Sequence, residues 1–267
     1  MYRKEGALIK SLSMQNIMKK FFMVLLIIII LAFGGTYFAL NTGSEVDVEW
    51  TADDFNSGIT KSAVAIEDIR EINLVTLAKK DYTTTGINTV DASFTNSEMS
   101  ALIDMANADG GPISNFKVSF NGNNEGEMSF KLTDSFVQFI QDQNMIQNLD
   151  SKFAWIPYLQ SASTNNITDT VIKFITNTAV NKPVYAKGTL SRTTDQSVSI
   201  HIESLKVGQI PMSQNVVSKV ETEVLRFVNN VLSSTEGFTI EELRVEDGAL
   251  YYKGTLPAEI QGKKITD

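Results

Sequence analysis

The sequence contains no cysteine and a single histidine, His201, among its 267 residues. Without cysteine the chain forms no disulfide, offers no thiolate to a metal, and has neither a cysteine nucleophile nor the acceptor for a bacterial lipid anchor. Ile200 and Ile202 flank the histidine on a predicted strand, so alternation turns its ring to the opposite face, towards solvent. We therefore predict no catalytic residue, metal ligand or cofactor based on histidine or cysteine.

Positive charge is scarce outside the first 20 residues. Those residues carry five Lys or Arg and one acid, a net charge of +4, whereas the other 247 carry 18 basic and 30 acidic side chains, a net charge of −12. A surface that follows nucleic-acid phosphates needs clustered cations, so the acidic body excludes nucleic acid as a partner. Because 43% of the residues are hydrophobic, the chain can bury a core and is not wholly disordered.

Residues 21–40 contain no charged side chain. A helix of this length extends about 30 Å, the thickness of the hydrocarbon core of a bilayer. A buried core helix and a cleaved signal peptide are the alternatives. Signal peptides have apolar regions of only about 7–15 residues, and a cut after Ala39 would place Tyr37 where a small residue is required. The run therefore predicts an uncleaved transmembrane helix.

The charges on either side of this helix predict its orientation. Lys19 and Lys20 precede it and acidic residues follow it. By the positive-inside rule, residues 1–20 form a basic cytoplasmic tail and the chain after about residue 41 is extracellular. Translation can begin at Met1 or at Met18 with the same topology. We divide the remainder into a juxtamembrane stalk with a short helix at 41–80 and an extracytoplasmic domain at 81–267.

Apolar spacing predicts the elements of that domain. Residues 81–93 are rich in Thr, Gly and Asn and predict an extended connector or edge strand. Thr95 and Glu98 have the spacing of a capping box, which predicts a helix from about 96 to 107. Alternation predicts hairpins within 116–132, 184–202 and 238–256, helical spacing fills much of 133–180, and the longest helix is predicted at 213–233 with Ser213 as its cap. The fold class is α+β: an antiparallel, curved sheet of hairpins wrapped around long amphipathic helices.

Two predicted strands share a local sequence. Residues 185–190 read Tyr-Ala-Lys-Gly-Thr-Leu, and residues 251–256 read Tyr-Tyr-Lys-Gly-Thr-Leu. Six residues are weak evidence for duplication, because Lys-Gly-Thr is common in strands. The match predicts two equivalent positions in the sheet, with the glycine at a bend or a close backbone approach.

Catalytic motifs are few. Ser114 and Lys117 have the Ser-x-x-Lys spacing of penicillin-recognising enzymes, where the pair begins a helix. Here the pair lies on a predicted strand whose alternation turns the two side chains to opposite faces, and the companion Ser-Asp-Asn and Lys-Thr-Gly elements are missing. The sequence also has no glycine-rich phosphate loop, Gly-x-Ser-x-Gly elbow or His-Glu-x-x-His helix. We therefore predict that the chain is not an enzyme.

The apolar helix residues leave two interpretations. They form an ordinary core, or they line a groove or tunnel for an acyl chain, with Met and Phe as adaptable walls. On the 213–233 helix, valines and Phe227 recur at intervals of 3, 4, 3 and 4, a stripe predicted to face the concave side of the sheet. The candidate lining residues are Met99, Leu102, Phe136, Ile140, Val220, Val224, Phe227 and Val231.

A family resemblance follows from several short motifs: Trp-Thr-Ala-Asp-Asp at 50–54, Phe-Thr-Asn-Ser-Glu-Met-Ser-Ala-Leu at 94–102, and Lys-Val-Gly-Gln-Ile-Pro at 206–211. The chain resembles the YpmS-like group of single-pass extracytoplasmic proteins of Gram-positive bacteria, and is more distantly similar to LmeA-like lipid-binding proteins of the cell envelope. The resemblance implies a sheet wrapped around long helices, related to tubular lipid-binding domains, with no catalytic residues.

These observations yield two function hypotheses. The first is a membrane-anchored extracytoplasmic protein that binds a lipid or another apolar envelope component without catalysis. The alternative is a scaffold of envelope machinery with no small-molecule ligand. The expected partners are the bilayer, contacted through residues 21–40, together with a lipid ligand or envelope proteins.

Overall fold

The computed structural model describes residues 43–142 and 179–262, which fold into α-helices and β-strands. The helices are α1 (Ala52–Ser62), α2 (Leu74–Lys79), α3 (Asn96–Ala106), α4 (Ser135–Asp142) and α5 (Gln214–Ser234). The strands are β1 (Ala65–Ile66), β2 (Tyr82–Thr85), β3 (Asn88–Thr95), β4 (Ile113–Gly122), β5 (Glu125–Leu132), β6 (Pro183–Thr194), β7 (Ser197–Val207), β8 (Ile210–Pro211), β9 (Thr239–Glu246), β10 (Ala249–Leu256) and β11 (Glu259–Gly262).

In these two ranges no helix combines the length and apolar character needed to cross a membrane. The predicted transmembrane helix at 21–40 and the basic tail at 1–20 lie outside the described residues. The helical spacing predicted between 143 and 178 lies outside them as well.

The strands form three sheets. The largest has the order β4-β5-β6-β7-β8, a second has the order β3-β10-β9, and a small one has the order β1-β11-β2. All neighbouring strands are antiparallel except β1 and β11. The three predicted hairpins are confirmed as β4–β5, β6–β7 and β9–β10. The segment 81–93, predicted as an extended connector or edge strand, contains β2 and most of β3, each at the edge of its sheet. The α+β class with curved antiparallel sheets is therefore confirmed.

Both predicted helix starts are confirmed, with different caps. Thr95 and Glu98 form the reciprocal capping box at the start of α3. Ser213 is the N-cap residue of α5, but its side chain makes no capping hydrogen bond. The spacing therefore located α5 correctly, whereas the expected bond at its start is absent.

Helix α3 closes one edge of the five-stranded sheet. Three of its side chains, spaced four residues apart, accept hydrogen bonds from alternate N–H groups of β4. Four helical residues and two strand residues both advance about 6–7 Å, so the two spacings match. An edge strand left open would invite pairing with another chain. The pairs are Asn96 with Phe120, Ser100 with Val118 and Asp104 with Phe116, at 2.9, 3.0 and 3.0 Å.

Helix α5 closes the opposite edge, where β8 covers only the last two residues of β7. The Glu221 carboxylate accepts from the Ile202 N–H at 2.7 Å. The Asn229 amide accepts from the Val198 N–H at 2.9 Å and donates to the Val198 carbonyl at 3.0 Å. One side of α5 is thus fixed by polar bonds to the β7 backbone, which orients its apolar side.

Two apolar clusters form the core. The first lies between the five-stranded sheet and the helices, and includes Phe116, Phe120 and Val217. The second joins the β3-β10-β9 sheet to the C-terminal half of α5, and includes Ile240 and Tyr252. Met99, Leu190 and Ile200 pack against both clusters, so the five-stranded sheet and the β3-β10-β9 sheet share one continuous interior.

Residues 43–80 do not form the predicted stalk; they belong to the folded domain. Val46 is 6% exposed and its N–H donates to the Ser129 hydroxyl at 2.9 Å. Gly58 of α1 packs against Leu102 of α3, and β1 pairs with β11. Because these partners are far away in the sequence, local spacing in 41–80 did not reveal them.

The two Lys-Gly-Thr segments occupy equivalent positions, as predicted. The register of β6 against β7 shifts between Lys187 and Gly188, and that of β10 against β9 shifts between Lys253 and Gly254. A Cβ on Gly188 would lie 2.1 Å from the His201 carbonyl oxygen, and one on Gly254 would lie 2.0 Å from that of Thr239. Each glycine therefore sits at a β-bulge where only hydrogen fits.

Candidate functional site

The predicted lining residues separate into two groups. Met99, Leu102 and Val220 are half-buried and pack against the core clusters. Phe136 also packs against the first cluster, from α4. These four side chains contribute to the interior of the domain, which agrees with the ordinary-core interpretation for that part of the set.

Val224 differs from its neighbours on the same side of α5. Val217, Val224 and Val231 are seven residues apart, a spacing that drifts only about 20° per step around a helix. Val217 is nevertheless 2% exposed, whereas Val224 is 37% exposed. The core is therefore closed at Val217 but open one heptad further along α5.

Aromatic residues of α4 lie beside this opening. Phe139 is buried and meets the Phe227 ring edge to face, with 6.1 Å between centroids. Phe136 and Phe139 are 6.3 Å apart. We call Val224, Phe227 and Val231 of α5, together with the more deeply packed Val220, Phe136 and Phe139 that border them, the Val224 row. Ile140 belongs to α4, but its side chain lies outside the described residues.

The chemistry of the Val224 row is that of a hydrocarbon surface. Its members are valines and phenylalanines. An apolar group bound there would be removed from water and would contact aromatic rings, whereas a charged group would find no partner. Arg226 and Glu223 of α5 pair with each other, with 2.7 Å between Nη2 and Oε2. Such a surface suits an acyl chain better than a polar substrate.

The side of α5 next to β7 has a depression of about 490 Å³ that is open to solvent. Its lining residues are mostly polar in type, but the atoms that they expose are mainly carbon. A surface that combines apolar area with hydrogen-bonding groups suits contact with a protein segment. Its lining consists of Glu221, Thr222, Leu225, Arg226, Asn229, Asn230 and Ser233.

Glu98 is the most highly connected buried acid among the described residues. Its carboxylate accepts from Lys61 Nζ at 2.7 Å, from the Ser57 hydroxyl and from the Thr95 N–H. Burial by itself would raise the pKa of Glu98, but the bonds from Lys61, Ser57 and Thr95 outweigh it and hold the pKa below its usual value. A carboxylate engaged in this way joins α1 to α3 and is not free to react.

The remaining sequence candidates stay apart. His201 is on the outer face, as predicted, with its Nδ1 3.0 Å from Glu221 Oε2. Ser114 and Lys117 flank a bulge at Asn115, whose φ is 53°. The bulge interrupts the alternation of β4, so the prediction that the two side chains lie on opposite faces is wrong. In the part of the chain that the structure describes, no three His, Cys, Asp or Glu side chains are grouped to hold a metal ion.

Sequence reasoning missed three residues of this region. Phe139 follows Phe136 by three residues, a helical spacing that could have identified it. Glu221 and Asn229 gave no signal, because polar residues on a helix are most often solvated. Their partners, Ile202 and Val198, became apparent only from the folded arrangement.

No family model, curated protein or solved structure matches the chain. The YpmS-like resemblance therefore stays a prediction from the sequence motifs.

Proposed function

We propose that this chain is a membrane-anchored, extracytoplasmic protein that binds a lipid acyl chain, or an envelope component with an equivalent apolar chain, at the Val224 row. Binding requires no catalysis. Residues 21–40 anchor the protein in the bilayer, and the domain that begins at residue 43 is displayed outside the cell.

The observation that carries this proposal is the exposure of Val224. A valine on the core-facing side of an amphipathic helix is expected to be buried, as Val217 is. Covering the exposed part of Val224 would remove apolar surface from water at a gain of about 25 cal/mol per Å². The flanking Phe227 and Phe139 rings extend the same apolar surface towards α4, so a chain-shaped apolar ligand fits it.

A photoreactive fatty acid tests the proposal in the full chain reconstituted in vesicles. Trypsin cleaves after Lys219 and Arg226, so Val224 falls in a peptide of seven residues. We expect light-dependent adducts in this peptide that excess unlabelled fatty acid prevents. Val224→Gln should lose most of the adduct, whereas Thr222→Gln, an equal polar change in the same peptide on the exposed side of α5, should keep it.

Adducts confined to residues 21–40 would contradict acyl binding by the domain. Stability provides an independent measurement. Phe→Ala in a filled core costs about 3–5 kcal/mol, so Phe227→Ala should cost less than about 3 kcal/mol if the row leaves room for a ligand.

The scaffold function is the second candidate, and the solvent-open depression on α5 favours it. A photo-crosslinking amino acid in place of Arg226 would capture a protein bound there, and one in place of Lys117, on β4, is the control. A specific protein adduct from position 226 without any fatty-acid adduct would support the scaffold over the lipid binder.

A further inference from the structure

The segment 43–50, which we call the strap, is fixed to the outer face of the five-stranded sheet, the face directed away from the core. At its start Gly43 is so close to Pro183 and Gly208 that a Cβ would lie 2.5 Å from Pro183 Cγ and 3.1 Å from the Gly208 carbonyl oxygen. Val46 is buried and its N–H donates to Ser129. The chain is therefore packed against the domain from Gly43 onward.

Further contacts continue this attachment along the strap. Glu45 lies 3.8 Å from Lys131 of β5, and the Ser97 hydroxyl donates to the Glu49 carbonyl at 3.0 Å. The next residue but one, Thr51, caps α1. The strap thus runs from the beginning of β6 to the beginning of α3 without an unattached stretch long enough to act as a spacer.

The distance between the predicted transmembrane helix and the domain is correspondingly short. Only residues 41 and 42 separate the predicted helix from Gly43. Fully extended, three peptide steps span about 10 Å, and the headgroup layer of one leaflet is about 5–7 Å thick. Gly43 must therefore lie within about 10 Å of the hydrocarbon core, in the headgroup layer or directly outside it.

We infer that the end of the domain formed by Pro183, Gly208 and the turn to Met212 rests against the outer surface of the bilayer. This inference depends on the membrane anchor proposed above, but not on a lipid ligand. The same end bears the beginnings of α4 and α5, because β5 leads into α4 and Met212 directly precedes the cap of α5. It therefore brings the Val224 row close to the membrane that supplies acyl chains.

The chemistry of the two available surfaces favours contact through this end. It carries Ile210 and Pro211 of β8 with Met212 directly after them, and Lys131 and Lys206 lie on the other strands at this end. Apolar side chains flanked by lysine suit the headgroup layer. Its acids include Asp134, and Glu45, which pairs with Lys131.

Contact through the outer face is the alternative, and its charge opposes it. The strap exposes three acidic side chains there, of which Glu45 lies beside Lys131. β5 and β7 add Glu125 and Glu203, which share a single cation, Lys187. Anionic lipid repels such a face. The exposed acids of the strap are Glu45, Asp47 and Glu49.

Site-specific labelling tests the orientation, since a chain without cysteine accepts one fluorophore at one introduced thiol. Gln209→Cys labels the proposed membrane end and Gln196→Cys, the matched control, labels the opposite end of the β6–β7 hairpin. β6 has twelve residues, so the two ends are separated by roughly 35–40 Å along the strand. Ser199→Cys labels the outer face.

The full chain is reconstituted in phosphatidylcholine and phosphatidylglycerol vesicles that carry a headgroup nitroxide. We expect the label at 209 to lose most of its fluorescence and the labels at 196 and 199 to keep theirs. Equal quenching at 209 and 199 would indicate contact through the outer face, and equal quenching at 209 and 196 would indicate no fixed orientation. Either result overturns the inference.

A flotation measurement separates failure of the anchor from failure of the orientation. If the labelled chain does not float with the vesicles, both the anchor and the inference fail. Insertion of ten Gly-Ser residues between positions 42 and 43 lengthens the tether without changing the domain. We expect the insertion to restore much of the fluorescence at 209, and unchanged quenching would overturn the role of the strap.

Discussion

Two three-stranded parts of the molecule are built around the same local sequence but differ in what covers them. We call β5-β6-β7 module 1 and β3-β10-β9 module 2. In module 1 the Tyr185 hydroxyl donates to Glu127 at 2.6 Å, and in module 2 the Tyr251 hydroxyl donates to Asp91 at 2.9 Å. In each module the central strand bears the tyrosine, one neighbouring strand bears the acid (β5 or β3), and the other neighbouring strand bears the bulge (β7 or β9).

The correspondence extends to the charged residues around each bulge. Lys187 lies 3.9 Å from the bulged Glu203, and Lys253 lies 3.5 Å from the bulged Glu241. A cation from the bulged strand covers each tyrosine ring. Lys206 is 5.3 Å from the centroid of Tyr185, and Arg244 is 4.1 Å from that of Tyr251. The shared residues thus mark the same sheet geometry.

The connections show that this is not a repeated hairpin. In module 1 the Lys-Gly-Thr strand β6 precedes the bulged strand β7, whereas in module 2 the strand β10 follows the bulged strand β9. The hairpin turns therefore lie at opposite ends of equivalent strands. The six-residue match therefore reflects the same sheet geometry at two places in the fold. Tandem duplication of a hairpin would keep the Lys-Gly-Thr strand in the same position within each hairpin, which is not observed.

The difference between the modules lies on their outer faces. Ser129 and Ser93 are equivalent, because they pair with Tyr185 and Tyr251. Ser129 is 1% exposed beneath the strap and accepts the Val46 N–H, whereas Ser93 is exposed. Module 1 therefore carries the attachment of the chain, while module 2 leaves the same surface open.

The largest expected effect comes from filling the bulges. Gly188→Ala and Gly254→Ala each place a Cβ about 2 Å from a backbone carbonyl oxygen, and a backbone atom cannot move aside as a flexible side chain does. We expect each variant to lose about 3 kcal/mol or more of unfolding free energy, measured by urea denaturation followed by circular dichroism.

Gly248→Ala is the control for this pair. Gly248 has φ of 79°, but nothing lies within 4 Å of an added Cβ, so only the backbone preference is lost, at about 1 kcal/mol. If Gly188→Ala or Gly254→Ala costs no more than this control, the two bulges are not held by close backbone approach.

The next largest effect is expected from removing the bond that attaches the strap to module 1. Ser129→Ala leaves the buried Val46 N–H without its acceptor, so we expect a loss of about 1–3 kcal/mol and faster proteolysis within residues 43–50. Ser93→Ala, the matched change in module 2, should alter stability by no more than about 0.5 kcal/mol. Equal losses from both variants would show that the strap contributes no stability through this bond.

Local patterns predicted the elements that depend on neighbouring residues. The capping box of Thr95 and Glu98 is satisfied within one turn, and the alternation of each hairpin reflects a single buried face. The glycine bulges were also predictable, since the repeated Lys-Gly-Thr indicated a close approach. The absence of a capping hydrogen bond at Ser213 was not predictable, because a suitable residue at the N-cap position does not ensure that the bond forms.

Contacts between distant residues were beyond the reach of such patterns. Val46 and Ser129 are 83 residues apart. The alternation Glu-Val-Asp-Val-Glu-Trp at 45–50 indicates an extended segment with one apolar face, but it does not indicate which surface that face covers. The apolar stripe on α5 was predictable from its spacing. Which member stays exposed was not, because Val217 and Val224 are equivalent on the helix and differ only in what lies opposite them.

The smallest expected effect separates the two tyrosines at high pH. Burial, with the hydrogen bond to Glu127, raises the pKa of Tyr185 to about 12 from its ordinary value of 10.0. The hydrogen bond to Asp91 raises the pKa of Tyr251 as well. In both modules the folded state therefore keeps a proton that the unfolded chain loses at lower pH.

The sign of the pH dependence follows from these raised values. The contribution of Tyr185 is fully present below pH 10.0 and is lost as the pH rises towards about 12. We expect Tyr185→Phe to reduce the loss of stability across this interval, and Tyr251→Phe to reduce it less, since Tyr251 is the more solvated hydroxyl. Urea titrations at several pH values, with ultraviolet titration of the phenols, measure both. A larger change from Tyr251→Phe than from Tyr185→Phe would contradict the greater burial of the Tyr185 hydroxyl.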